Sequence, residues 1–350
     1  MDSANEANGN AISYSEGYVM VFKNGVLLYD SDYTATSGDT IVLTSAADSG
    51  EMVTVVKWAS GSGGGSAYPA WLGDRAVTSP DQDYASMDYF SIATPANAAS
   101  FGSYTGGATQ PGAASNGTTI LYAVGNNAIY VTPATLGDAA FFGDATYNFF
   151  YSNGTSDGTY GLFAGHGNGY QIVYFTIATA GTASTFGNLA YPQTKGRCAG
   201  VNDATRAVWG GGEHASVSIP TTNAMCYATI ATAADASSFG SLTVAKQWAW
   251  GGNDETYGVF MGGNGGNIID YITIQTTGNA TDFGDLAVSD NGNGGSDAGC
   301  DNTYAVAAIS TSTYSNNLQY ITVATPSNAS DFGDLTAAVR GLSIGSGLSA

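Results

Sequence analysis

The chain of 350 residues carries 49 glycines, only 10% charged residues and a formal charge of −20. That balance argues against a nucleic-acid partner and against docking on an anionic lipid surface, and no apolar run approaches the roughly 20 residues of a membrane helix. Scarce Glu, Lys, Arg and Leu, set beside 22 Tyr and 14 Phe, point to strands joined by tight turns.

Residues 1–10 are polar and acidic, unlike the basic start and apolar core of a signal peptide. Tyr18 to Phe22 and Val26 to Tyr29 then flank Lys23-Asn24-Gly25, and Asn-Gly is the strongest short hairpin signal. Thr40 to Thr44 and Met52 to Trp58 supply two further strands. Residues 1–59 therefore read as a small β-domain, and 60–67, with the run Ser60-Gly61-Ser62-Gly63-Gly64-Gly65-Ser66, as a flexible linker. The pattern carried by Val19, Val21, Asn24, Gly25, Asp32, Tyr33, Thr34, Ile41, Leu43, Val53 and Val55 resembles a β-domain of tail fibres and other virion proteins of tailed bacteriophages, marine ones in particular. The resemblance implies a virion component that attaches to other virion proteins through residues 1–59. It also fits the acidic, Lys-poor composition, which suits salty media where screening removes self-repulsion.

From residue 68 onward the dipeptide Phe-Gly recurs in one local frame, at Phe101, Phe142, Phe186, Phe239, Phe283 and Phe332. The spacings of 41, 44, 53, 44 and 49 residues belong to propeller blades rather than to the shorter, more regular coils of a β-solenoid. Upstream of each Phe-Gly lies an aromatic, β-branched strand, such as Tyr174-Phe175-Thr176-Ile177 or Tyr271-Ile272-Thr273-Ile274. In the second unit Pro133 replaces the Ile or Val, so that strand should be short or bulged. Earlier still stand strands that close on glycine, such as Thr205 to Gly211 and Thr256 to Gly263, preceded by runs such as Gln247 to Gly252. This order is similar to a divergent kelch-type blade, with Phe where kelch repeats carry Trp. The resemblance implies an all-β, six-bladed kelch-like propeller over residues 68–350, its repeated Phe wedged between blades.

The ends of the repeat array supply a separate argument. After the last Phe-Gly, Leu335 to Gly345 reads as the first strand of a seventh unit and then stops, whereas the first unit begins late, at Asp74-Arg75-Ala76-Val77. The C-terminal strand should therefore complete the first blade and leave no open edge.

Residues with chemistry are few. Cys198, Cys226 and Cys300 are odd in number, lack CxxC spacing and lie in apolar runs, so they read as buried structural thiols. His166 and His214 sit in glycine-rich turns without HxH or HExxH spacing, and no metal or cofactor is expected. Asp81, Asp83 and Asp88, the pair Asp254 and Glu255, and the pair Asp331 and Asp334 read as solvated acidic loops rather than calcium sites, EF-hand spacing being absent. No catalytic residue is assigned, although two carboxylates facing each other across a cleft would serve a glycosidase. The departures from a uniform repeat are Glu213 to Asn223 in the fourth unit and Tyr314 to Asn317 in the sixth. Both fall between second and third strands and should share one propeller face. Glu213, His214, Tyr314, Asn316 and Asn317 are accordingly the candidate contacts.

The expected function is that of a tail fibre or receptor-binding protein of a phage particle, an oligomer (a trimer being one possibility) that recognises a host cell-surface glycan through aromatic and polar side chains. Two other readings stay open: a capsid decoration or tail-adaptor subunit without a receptor role, and a polysaccharide-cleaving enzyme on the same fold.

Overall fold

The computed structural model describes residues 19–29, 32–34, 41–45, 48, 51–57, 68–80, 84–104, 106, 110–166, 169–190, 197–213, 221–264, 266–290, 295–310 and 314–349. Two compact units divide the chain, Met1–Ala67 and Tyr68–Ala350. The glycine-serine run 60–66, Asp81, Asp83 and His214 lie outside the described residues.

In the first unit Val19–Lys23 pairs with Val26–Leu27 on one side and with Val53–Lys57 on the other. The hairpin turns on Asn24 (φ 52°) and Gly25 (φ 81°), two successive left-handed residues that match the twist of the flanking strands. Asn24 does more than turn. Its Oδ1 accepts from the Met52 amide at 2.9 Å and its Nδ2 donates to Glu51, which also pairs with Lys23 at 2.8 Å. Tyr33–Thr34 pairs with Val42–Leu43 in a separate two-stranded ladder.

The second unit is a six-bladed β-propeller. A typical blade, the third, runs from the axis outward as Asn153–Ser156, Tyr160–His166, Gly169–Thr176 and Ser184–Asn188, every pair antiparallel. In the first blade the innermost strand is Ile344–Gly347, paired to Arg75–Thr78 in the register Ile344↔Thr78 to Gly347↔Arg75. The ring thus closes with the C-terminal strand, as the ends of the repeat array imply. In the second blade the single run Ile120–Val131 carries both the second- and third-strand repeats, joined through Gly125 (φ 57°). That run stops at Val131, one position short of its counterparts ending at Ser91 and Thr176. Pro133 is the cause. At the matching place Ile177 and Ile274 donate their amides to Thr159 and Thr256, a bond proline cannot make.

One side of each blade is an aromatic stack. The third-strand tyrosine meets the Phe-Gly phenylalanine edge-on in all six blades, from Tyr271–Phe283 at 5.7 Å to Tyr174–Phe186 at 6.2 Å. All six phenylalanines are buried, and two also touch an aromatic ring of the following blade: Phe142 meets Phe175, and Phe332 meets Phe90.

The glycine after each phenylalanine explains the rest of the motif. A Cβ on Gly102, Gly143, Gly187, Gly240, Gly284 or Gly333 would meet a carbonyl oxygen in the third-to-fourth-strand turn of the next blade at 1.8–2.5 Å. In that turn an alanine amide donates back to the outer strand: Ala139 to Ser103, Ala183 to Asp144, Ala236 to Asn188, Ala280 to Ser241, Ala329 to Asp285 and Ala98 to Asp334. Just before the alanine, Asp138, Asp235, Asn279, Asn328 and Asn97 each accept a further amide from the same outer strand. The sequence Asx-Ala-x-x-Phe-Gly is therefore a latch between blades, and its last copy closes blade six onto blade one.

Two outcomes follow. Removing residues 339–350 takes away the innermost strand of blade one, so the truncated protein should unfold well below the full-length chain; equal melting temperatures would refute the closure. Gly240→Ala should cost about 1–3 kcal/mol by overpacking. Gly278→Ala, at the partner position where an added Cβ meets nothing within 4 Å, should stay within about 0.5 kcal/mol. Chemical denaturation of the two variants distinguishes this latch from a glycine kept for local flexibility.

Candidate functional site at the loop face of the propeller

The two faces of the propeller differ in kind. Where innermost strands turn into second strands, the turns are short and capped by Asn116, Asp157, Asp203, Asp254 and Asp301, whose Oδ1 atoms accept two successive amides each. At the sixth such place the chain is open, and Asp74 instead holds the amide and hydroxyl of Ser349. Asp254 is thus a turn cap, not a solvated acidic loop. Asp88 is likewise buried, its carboxylate accepting from the amide and hydroxyl of Thr336 in blade six.

The opposite face carries the loops between second and third strands and the connections entering each innermost strand. Glycines that close the second strands, Gly165, Gly211 and Gly262, take φ of 65–73° there and start the reversal. Gln110 (φ 49°), Tyr151 (φ 63°), Arg197 (φ 59°) and Trp248 (φ 58°) are left-handed too, each two residues before an innermost strand. Bulky residues adopt this conformation only where their surroundings impose it. Here the constraint is visible: Gln110 donates its amide to Gly341, Arg197 to Tyr151 and Trp248 to Arg197, at 2.8–2.9 Å.

Tyr151, Arg197 and Trp248 build a layered cluster at the mouth of the central channel. The Arg197 guanidinium lies 4.5 Å from the Tyr151 ring centre and 4.6 Å from that of Trp248, and it pairs with Glu213. Arg197 Nε, Trp248 Nε1, Gln110 Oε1 and Gln247 Oε1 are buried without a partner among the described residues. Of these, Arg197 Nε and Trp248 Nε1 belong to the stack itself, whereas Gln110 lies apart, against Gly341. Unmet polar atoms in a stacked cation cluster mark a place able to hold polar ligand groups.

The channel beneath is narrow, about 50 Å³, lined by innermost strands of all six blades and by Trp71 and Leu72. Asp297 sits in it. Its carboxylate accepts from the Ala113 and Gly154 amides and the Ser343 and Ser296 hydroxyls, tying blade six to blades one, two and three. Burial raises its pKa to about 7, against the lowering effect of those four donors. Burial also pushes the thiols of Cys198, Cys226 and Cys300 up to about 12, which leaves them inert. Among the described residues no group of three His, Cys, Asp or Glu is arranged to hold a metal, and no helix is long and apolar enough to cross a membrane.

The sequence-derived candidates divide between two places. Glu213, in blade four, serves the Arg197 cluster. Tyr314, in blade six, is 39% exposed, meets Tyr84 of blade one edge-on at 6.5 Å and carries the Arg340 guanidinium 5.2 Å from its ring centre. Asn316 and Asn317 are not loop residues. They belong to the third strand Ser315–Thr322, half-buried, and Asn317 Oδ1 accepts from Gln319. The strand starts earlier than its apolar pattern because Ser315 still pairs with Val339 of a ten-residue outer strand. Sequence reasoning missed Tyr84, Tyr151, Arg197, Trp248 and Arg340. The available signal was rarity: the chain has four arginines, and each stacks on an aromatic ring.

No family model matches the chain, and no curated protein matches it. Among solved structures, the structure of YjhT is similar, with a TM-score of 0.58 and 11% identity over 74% of this chain and 94% of that one. At that identity the likeness concerns the fold alone.

The Asp297 geometry gives a pH prediction. Its pKa is raised on folding, so its contribution to stability is full at or below about pH 4 and is lost as pH rises to about 7. Wild-type melting temperature, compared with that of Asp297→Asn across this window, should fall more steeply; parallel curves would show that Asp297 is already ionised at low pH.

Proposed function

We propose that the propeller is a carbohydrate-binding module and that the chain serves as a tail fibre or related receptor-binding protein of a phage particle. The observation that carries the binding reading is the loop-face cluster in which Arg197 lies between Tyr151 and Trp248, with buried polar atoms that have no partner among the described residues. Aromatic faces beside fixed hydrogen-bonding groups suit a sugar, whose ring has apolar faces and a polar edge. The exposed Tyr84–Tyr314 pair beside Arg340 offers a second such surface on the same face. The virion setting is supported by the N-terminal pattern around Asn24-Gly25, and the binding reading does not depend on it.

The test is adsorption of assembled particles to host cells, together with binding of the isolated chain to a glycan array. Tyr314→Ala and Arg197→Ala should each weaken binding about tenfold or more, the range of an aromatic or arginine anchor. Tyr314→Ala should leave the melting temperature unchanged, since the ring is exposed. Unchanged adsorption by both variants would refute the loop-face assignment and favour a decoration or adaptor role. Release of sugar products would instead point to polysaccharide cleavage.

A further inference from the structure

The outer slots between blades are filled unequally. Between blades four and five, Arg206 opens a second strand, stacks 4.4 Å from the Tyr227 ring centre and donates to the Ile274 carbonyl of the next blade at 3.1 Å. Gln275 completes the plug, its Nε2 donating to Asp203 Oδ2 at 2.6 Å and Thr205 Oγ1 at 2.7 Å. Between blades one and two, Arg75 repeats the arrangement, 4.9 Å from the Tyr89 ring centre and 2.7 Å from the Pro133 carbonyl. In these two seams a guanidinium laid on a tyrosine and bonded to the neighbouring carbonyl occupies the slot, whereas the seams three–four and six–one set Tyr160 edge-on to Tyr174 and Tyr304 edge-on to Tyr320.

Between blades five and six the same positions are Tyr257, Tyr271, Val323 and Ala324: the Tyr257 ring stands edge-on to Tyr271 at 6.2 Å in place of the arginine, and Ala324 leaves out the reach of Gln275. A cavity of about 230 Å³ opens there, lined by Tyr257, Tyr271, Thr273, Val323, Ala324 and Pro326. The Val323 carbonyl, equivalent to that of Ile274, accepts no hydrogen bond among the described residues. Asp254, equivalent to Asp203, is buried, and its Oδ1 is taken by the Thr256 and Tyr257 amides. Its Oδ2 corresponds to the atom that receives Gln275 in the sister slot.

We propose that this slot binds the arginine side chain of a partner protein. The guanidinium stacks on one of the two tyrosine rings, which stand 65° to each other, with the other ring at its side. It donates to the Val323 carbonyl as Arg206 does to Ile274, and is drawn in by Asp254 and by a chain of net charge −20. A lysine ammonium cannot stack flat and bond in the plane at once, so the slot discriminates against it. This inference stands apart from glycan binding, which occupies the other end of the blades.

The experiment titrates N-acetyl-arginine amide, with N-acetyl-lysine amide for comparison, into the full chain and follows the Thr273 methyl resonance. The arginine compound should give a saturable shift, and the lysine compound should bind at least fivefold more weakly. Tyr257→Arg and Ala324→Gln rebuild the plugged sister slot, so each should weaken binding at least tenfold and leave the melting temperature no lower than that of the wild type. Should Tyr257→Arg fail to fold, Ala324→Gln alone decides. No saturable shift, equal binding of the lysine compound, or binding unchanged in the folded variants would overturn the proposal.

Discussion

The close approach of each Phe-Gly glycine to the turn of the following blade is the constraint on which the propeller depends. Innermost strands can crowd around an axis, but outer strands diverge, and something must hold them at the rim. Here a large buried ring fills the wedge, and the glycine beside it lets two backbones touch. The amide of the alanine and the side chain of the preceding Asx then bond the outer strand that lies against them. Because the sixth latch runs from Gly333 to Ala96, far apart in sequence, closure is cooperative: no blade keeps its full set of contacts until the ring is complete.

Deeper in the seams the repeat is uneven. The third-strand residue before the conserved tyrosine is Ile129, Val173 or Cys226 in blades two to four, all buried and apolar. In blades five, six and one it is Asp270, Gln319 or Asp88, each accepting an amide from the preceding blade. Asp270 also pairs with buried Lys246 at 2.8 Å, and Lys246 Nζ donates to the Phe260 and Ile268 carbonyls. Desolvation pulls the Lys246 pKa down while Asp270 opposes it. Such a pair adds directional demand more than net stability, and it makes these seams less tolerant of sliding than the apolar ones.

Much of this was legible in the sequence because it is periodic. The Phe-Gly spacing, the late start at Asp74 and the extra strand near Ile344 require six closed units, and the paired strands agree. Asn24-Gly25 marked its hairpin for a local reason, two successive left-handed residues. The site was read less well. Arg197 meets Tyr151 and Trp248, which come from neighbouring blades 46 and 51 residues away, so no local window shows the stack. Asn316 and Asn317 looked like loop because polar residues in a strand edge resemble loop composition, whereas the long outer strand extends the ladder over them. The signature Asp-x-Thr, followed by Tyr or Arg, marks the turns at Asp157, Asp203, Asp254 and Asp301, but it also occurs at Asp144, inside the outer strand Ala140–Phe149. Its meaning lies in which amides the carboxylate reaches, and one chain without its coordinates does not display that.

The arginines bring these threads together. A chain so acidic that keeps only four arginines, and lays every one on an aromatic ring, uses the guanidinium as a flat connector rather than as a source of charge. Arg75 and Arg206 connect blade to blade, each stack ending on a carbonyl of the next blade. Arg197 and Arg340 stack instead at the loop face, Arg197 held by Glu213 with its Nε unmatched among the described residues. The same chemistry therefore does two jobs by position: at the blade seams its hydrogen bonds are consumed inside the fold, and at the mouth of the channel part of that capacity is left over. A buried donor without a partner among the described residues carries a desolvation cost, and the ligand binding proposed for the loop face is the arrangement that would offset it.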